Sequence, residues 1–129
     1  MHAAPRELFQ YALLCVVPDL ERGEAINAGV VLFCRRHHFL AARVGLDERR
    51  LGALAPEADA AAIAQRLDDL RRVAAGDETA GQVARLEPSE RFGWLTAPAS
   101  TVVQPSAVHT GLCDDPAAML DRLFARLVT

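Results

Sequence analysis

The chain contains no lysine: its 14 basic side chains apart from histidine are all Arg, against 17 Asp and Glu, and the net charge is −3. A generic nucleic-acid surface requires a basic excess, so a nucleic-acid partner is not expected. Arg in place of Lys, together with heavy use of Ala, fits the codon usage of a GC-rich bacterial genome. Cysteine is scarce and odd in number, and Cys15, Cys34 and Cys113 are far apart with no C-x-x-C pair. That argues against a disulfide framework and makes a reducing cytoplasm the expected compartment. No apolar run approaches the roughly 18 residues that span a bilayer, so no membrane association is expected. Met1 to Arg6 leads straight into a strand-like segment, which does not read as a signal peptide. No G-x-S-x-G elbow and no four-ligand zinc pattern occurs, so neither a metal nor a cofactor is expected.

What is present is a substantial core. Half of the 129 residues are hydrophobic, enough for one domain to bury about two thirds of its unfolded surface. The most apolar stretch runs from Ile26 to Cys34, apolar or small on both parities except at Asn27, as in a strand covered on both faces. Leu8 to Val17, ended by Pro18, and Phe39 to Val44 flank it as further strands. Short polar turns join the three, at Asp19 to Glu24 and at Arg35 to His38, which predicts an antiparallel meander.

The period then lengthens. Asp47 caps a short helical turn carrying Leu51 and Leu54. Beyond Pro56, the residues Ala60, Ile63, Leu67, Leu70 and Ala74 recur at helical spacing, and Gly76 supplies a stop. Thr79 and Gln82 resemble a capping box for a short helix that Pro88 ends. Thr101 to Gln104 reads as a fourth strand, confined by Pro105 to an edge or a bulge, and Val108 to Cys113 as a connection. Asp114, Asp115 and Pro116 open a last helix with the stripe Leu120, Leu123, Phe124 and Leu127. The expected fold is a single α+β domain over residues 1–129. Its antiparallel sheet has about four strands, an N-terminal three-stranded meander plus one later strand, with helices packed on it.

The polar residues that this fold does not require form two groups. Glu21, Arg22, Glu24 and Asn27 stand at the entrance to the central strand. Paired carboxylates beside a sharp turn suit acid–base work or metal binding, although such a turn is more commonly a solvated hairpin. Asn27, inside an apolar strand, must find hydrogen-bond partners. The second group is Ser100, Thr101, Gln104, Ser106, His109 and Thr110, followed by Asp114 and Asp115, which capping explains. A triad drawn through Ser106, His109 and Asp114 lacks the sequence context that such triads have. Arg35, Arg36, His37 and His38 suit phosphate contact or simply a charged turn, and Trp94 suits packing more than stacking.

Two stretches carry a resemblance. Tyr11 to Pro18 with Glu21-Arg22-Gly23-Glu24 and Asn27 to Phe33, and Ser100 to Pro105 with Val108 to Cys113, resemble a bacterial family of uncharacterised proteins, the domain of unknown function 3037. The resemblance extends through the closing helix, whereas residues 46–90 share only helical character. It implies small stand-alone proteins without assigned catalytic residues, some encoded beside kinase-like proteins similar to the toxin of a toxin–antitoxin pair. The favoured expectation is thus a cytoplasmic, non-catalytic protein-interaction domain, with a kinase-like protein as the partner that the resemblance suggests. The alternative is a small enzyme or ligand-binding protein whose polar site combines Glu21, Arg22, Glu24 and Asn27 with Gln104, His109 and Thr110. That alternative requires the two segments to meet in one cleft.

Overall fold

The computed structural model describes residues 6–129. Three strands, β1 (Glu7–Val16), β2 (Ile26–Cys34) and β3 (Phe39–Val44), form the expected meander, and both pairings are antiparallel. Two later strands, β4 (Val103–Pro105) and β5 (His109–Cys113), complete a five-stranded antiparallel sheet. The connection expected over Val108 to Cys113 is therefore largely a strand. Its alternation is hidden by Thr110 and Gly111, and it forms because β1 offers an open edge.

β4 and β5 divide that edge between them. β4 pairs with Leu14 to Val16 and β5 with Glu7 to Tyr11. The register slips by one residue between them, since Leu14 faces Pro105 whereas Tyr11 faces His109. Proline has no N–H to give a ladder, and the bulge brings Ser106 in instead. Ser106 donates its backbone N–H to the Leu13 carbonyl, and its Oγ accepts from the Leu13 N–H, both at 2.8 Å. At the same level the β1–β2 pairing also slips, with Leu14 facing Gly29 and Cys15 facing Asn27.

Helices cover the sheet on both faces, which explains the unbroken burial of β2 from Ala28 to Cys34. One face carries α1 (Glu48–Leu54), α2 (Ala60–Ala75) and α3 (Pro88–Leu95). There Leu51, Ile63, Leu67, Leu70, Phe92 and Leu95 pack with Ala12, Leu14, Val16, Val31 and Phe33. On the other face α4 (Pro116–Leu127) lays Leu120 and Phe124 against Val30, Leu32 and Cys34. Its amphipathic spacing explains that docking: Arg122 and Arg126 are exposed, and Asp121 at the border of the apolar stripe accepts from Arg43 of β3 at 3.0 Å.

The caps hold as expected at Asp47, whose side chain accepts from the backbone of Arg49 and Arg50, and at Asp115, which accepts from Ala118. For α2 the cap is Asp59, accepting from Ala62. Two expectations fail between α2 and α3. Asp77 rather than Thr79 is the capping residue after α2, and only two short 3-10 turns form, at Glu78–Ala80 and Val83–Arg85. Pro88 opens α3 instead of closing a helix, because its missing N–H costs nothing in a first turn.

β5 contains one close approach. A Cβ at Gly111 would lie 2.7 Å from two ring carbons of Phe9, the residue directly opposite on β1. The buried ring fills the space that a side chain at 111 would take, as aromatic rings do across strand glycines.

Candidate functional site

The turn between β1 and β2 is built by Asp19. Its side chain accepts from the backbone of Glu21 at 3.0 Å and of Arg22 at 3.4 Å, and its carbonyl accepts from Gly23 at 3.0 Å. Gly23 sits at φ 70, the left-handed conformation that closes the turn. Arg22 Nε donates to Glu24 Oε1, and this pair is largely exposed, so it contributes little to stability. It does define a surface: Arg22, Glu24, Pro18 and Asp19 line a groove of about 520 Å³ against the α1–α2 connection, Leu54 to Ala58. Glu21 is exposed, and its carboxylate makes no hydrogen bond or ion pair among the described residues.

Asn27 serves the fold. Its Nδ2 donates to the Leu127 carbonyl at 3.1 Å, and its Oδ1 accepts from the Cys15 thiol at 3.7 Å. Cys15 also faces Gln104 on β4, so Asn27, Cys15 and Gln104 form one row across the sheet on the α4 face. At about 4.8 Å per strand, Asn27 and Gln104 stand some 10 Å apart.

His109 lies on that same face, farther along. It faces Tyr11, with the two rings 5.2 Å apart and tilted, and Tyr11 is about 13 Å down β1 from Cys15 at ~3.3 Å per residue. Thr110 faces Gln10 and projects from the opposite face. Thus Asn27, Gln104 and His109 share a face without touching, while Thr110 belongs to the other face. The groove holding Arg22 and Glu24 is lined by none of Gln104, His109 and Thr110.

That groove instead continues elsewhere. Pro18 and Ala58 also line a neighbouring depression of about 470 Å³ with Ile63, Arg66 and Val102. Arg66, Thr101 and Val103 in turn join this to a smaller one, about 220 Å³, walled by Trp94, Pro98 and Pro105. A trough therefore follows the flank of α2 to β4. Arg66 is exposed along it and pairs with no carboxylate among the described residues. Trp94, 42 % exposed, belongs to neither core cluster, contrary to the packing role expected of it, and forms a wall of the trough. Its helical spacing behind Phe92 could not distinguish these roles, because the opposite wall comes from residues 97–105.

Among the described residues no three His, Cys, Asp or Glu side chains gather to hold a metal ion, and no helix is long and apolar enough to cross a membrane. The three thiols are free. Burial pushes Cys15 up, and burial with Cys34 as a neighbour pushes Cys113 up to about 11, so neither is an activated nucleophile.

A second feature escaped the sequence. On the face bearing α1 to α3, those helices stop short of the β1–β5 end, where Leu8 and Leu112 face each other 59 % and 55 % exposed. The signal was present in Leu112, but only a strand at 109–113 gives it a partner. The turn after β2 stands beside them: Arg35 and Arg36 line a depression of about 290 Å³ with Glu7, Leu8, Gln10 and Phe33.

No curated protein and no solved structure matches the chain. The family described as "Protein of unknown function (DUF3037)" matches residues 11–128, from the middle of β1 through the end of α4. The match covers nearly the whole fold, and the chain belongs to that family.

Proposed function

We propose that residues 1–129 form a single domain that works as a non-catalytic protein-interaction module in the bacterial cytoplasm, with a kinase-like protein as partner. The observation that carries this reading is the outer edge of β4 and β5. Each strand pairs with β1 alone; on β4 the Val103 carbonyl accepts from the Thr101 hydroxyl at 2.7 Å, whereas the outward N–H and C=O groups of β5 are unpaired among the described residues. Open edges invite another chain to pair, and proteins that do not use them commonly blunt them with charge, proline or a covering loop. Here Pro105 blunts β4, whereas β5 carries no proline and no Arg, Asp or Glu between His109 and Cys113.

Co-expression with a kinase-like protein from the same bacterial neighbourhood, followed by size exclusion with light scattering, tests this. A stoichiometric complex that Thr110→Pro weakens, with circular dichroism showing the variant folded, is expected. Absence of any stoichiometric partner in the native host counts against the reading.

The trough along α2 favours a second reading, a small-ligand-binding protein. Arg22, Glu24 and the unpaired Arg66 supply polar contacts, and Trp94 and Val102 supply apolar ones. In this reading Glu21, Asn27, Gln104, His109 and Thr110, which line none of the three depressions, take no part. A ligand whose thermal stabilisation disappears in Arg66→Ala supports it.

A further inference from the structure

A sheet face is stable in water when a helical layer covers its apolar part. In this protein that layer ends at the Phe33–Phe92 contact, whose rings are 5.4 Å apart. Past it, the same face presents two cross-strand pairs, Leu8 with Leu112 and Gln10 with Thr110. The leucines are two of the most exposed apolar side chains among the described residues. Beside them rise Arg35 and Arg36. Neither makes an ion pair among the described residues, and Arg35 lies 5.5 Å over the Phe33 ring. His37 and His38 extend the turn, exposed, and Glu7 is the single carboxylate lining the depression. The patch is thus apolar with a basic border, on a protein whose net charge is negative.

We propose that this face receives an acidic amphipathic helix from a partner protein, with the helix's apolar stripe on Leu8 and Leu112 and its carboxylates against Arg35 and Arg36. Charge complementarity selects this occupant, because unpaired guanidiniums bind carboxylates in forked geometry and repel basic segments. Dimensions agree: a helix is about 10 Å across, the width of a two-stranded strip of sheet. The proposal rests on the protein-interaction reading and names the surface and partner chemistry for it.

The probe is a synthetic amphipathic peptide of roughly 18 residues, five helical turns, with Leu on one face and Glu on its flanks, labelled for fluorescence anisotropy. The control carries Lys in place of every Glu. The acidic peptide should bind at least about tenfold more tightly than the control, weakening with salt. Arg35→Glu with Arg36→Glu should reverse the preference, and Leu112→Ser should weaken both peptides. These positions are exposed, and circular dichroism checks that each variant is folded.

Equal binding of the two peptides, binding indifferent to the variants, or no binding overturns the proposal. Sedimentation showing self-association that Leu112→Ser abolishes assigns the face to a second copy of the chain, and displacement of the peptide by an RNA oligonucleotide assigns it to nucleic acid. Either result also overturns the proposal. A co-expressed partner that stays bound to the Arg35/Arg36 and Leu112 variants sinks this surface while leaving the interaction reading intact. Conversely, if no partner forms a complex although the peptide discriminates as expected, the interaction reading fails and the surface chemistry stands.

Discussion

Asn27 on β2 and Leu127 at the end of α4 are joined by a 3.1 Å hydrogen bond that closes a separation of 100 residues. The amide thus locks the closing helix to the sheet, and its Oδ1 takes the Cys15 thiol besides. Asn27→Ala removes the donor and should destabilise the domain by about 1 kcal/mol, the net worth of one partly buried hydrogen bond. Asn27→Asp should cost more, since a carboxylate set against a carbonyl repels it. Urea unfolding of both variants gives the comparison; a neutral Asn27→Asp would show that the bond does not hold α4.

The pairing of Phe9 with Gly111 makes a directional prediction. Gly111→Ala forces a methyl into the Phe9 ring and should cost about 1–3 kcal/mol, as overpacking does. Because the clash is with one side chain, Phe9→Leu should relieve part of it, so the double variant should be less destabilised than the sum of the singles. Additive losses would mean that the ring is not what Gly111 accommodates.

Asp77 ties the end of α2 to the next turn of the chain. Hydrogen bonds from the Thr79 hydroxyl, from Arg72 and from the Thr79 backbone hold its carboxyl down at about 2. The folded value lies below the ordinary one near 4, so its stabilising effect is present above pH ~4 and fades as the pH falls toward 2. The stability difference between the protein and Asp77→Asn should therefore be constant above pH ~5 and shrink on acidification. Carboxyl NMR titration of Asp77 checks the assignment, and Thr79→Ala should move its midpoint upward.

Cys113 should resist alkylation. With its thiol pushed up to about 11 by burial, the thiolate at pH 8 is scarce, and iodoacetamide should modify it at least about a hundredfold more slowly than in urea. Pulse labelling read by mass spectrometry, residue by residue, makes the measurement. Labelling of Cys113 in the folded protein at the unfolded rate would contradict its place under α4.

Much of the architecture was legible because it is carried by local pattern. The two-faced apolar run of β2 announced helices on both sides, and the carboxylates Asp47 and Asp115 announced helix starts. The hidden parts depended on partners distant in sequence. β5 has little strand character of its own and exists because Glu7 to Tyr11 present an edge to it. Pro88 is equally compatible with ending one helix or opening the next, and the weak sequence on its N-terminal side decides it. The same holds for function-bearing surface. Glu21, Arg22, Glu24, Gln104, His109 and Thr110 stood out as polar residues, yet only the register of β1 shows which share a face. Leu8 and Leu112 passed unnoticed because exposure is not a property of a residue in isolation.

The split edge of β1 has a consequence for how the protein is made. Ser106 closes against Leu13 across 93 residues. At roughly 5–20 residues per second, on the order of ten seconds of synthesis separates the two. Throughout that interval the N-terminal meander leaves the ribosome with its first strand, β1, bare along one side. The nascent sheet is then most open to chaperones and to stray pairing, and a ribosome stalled before Val103 strands it in that state.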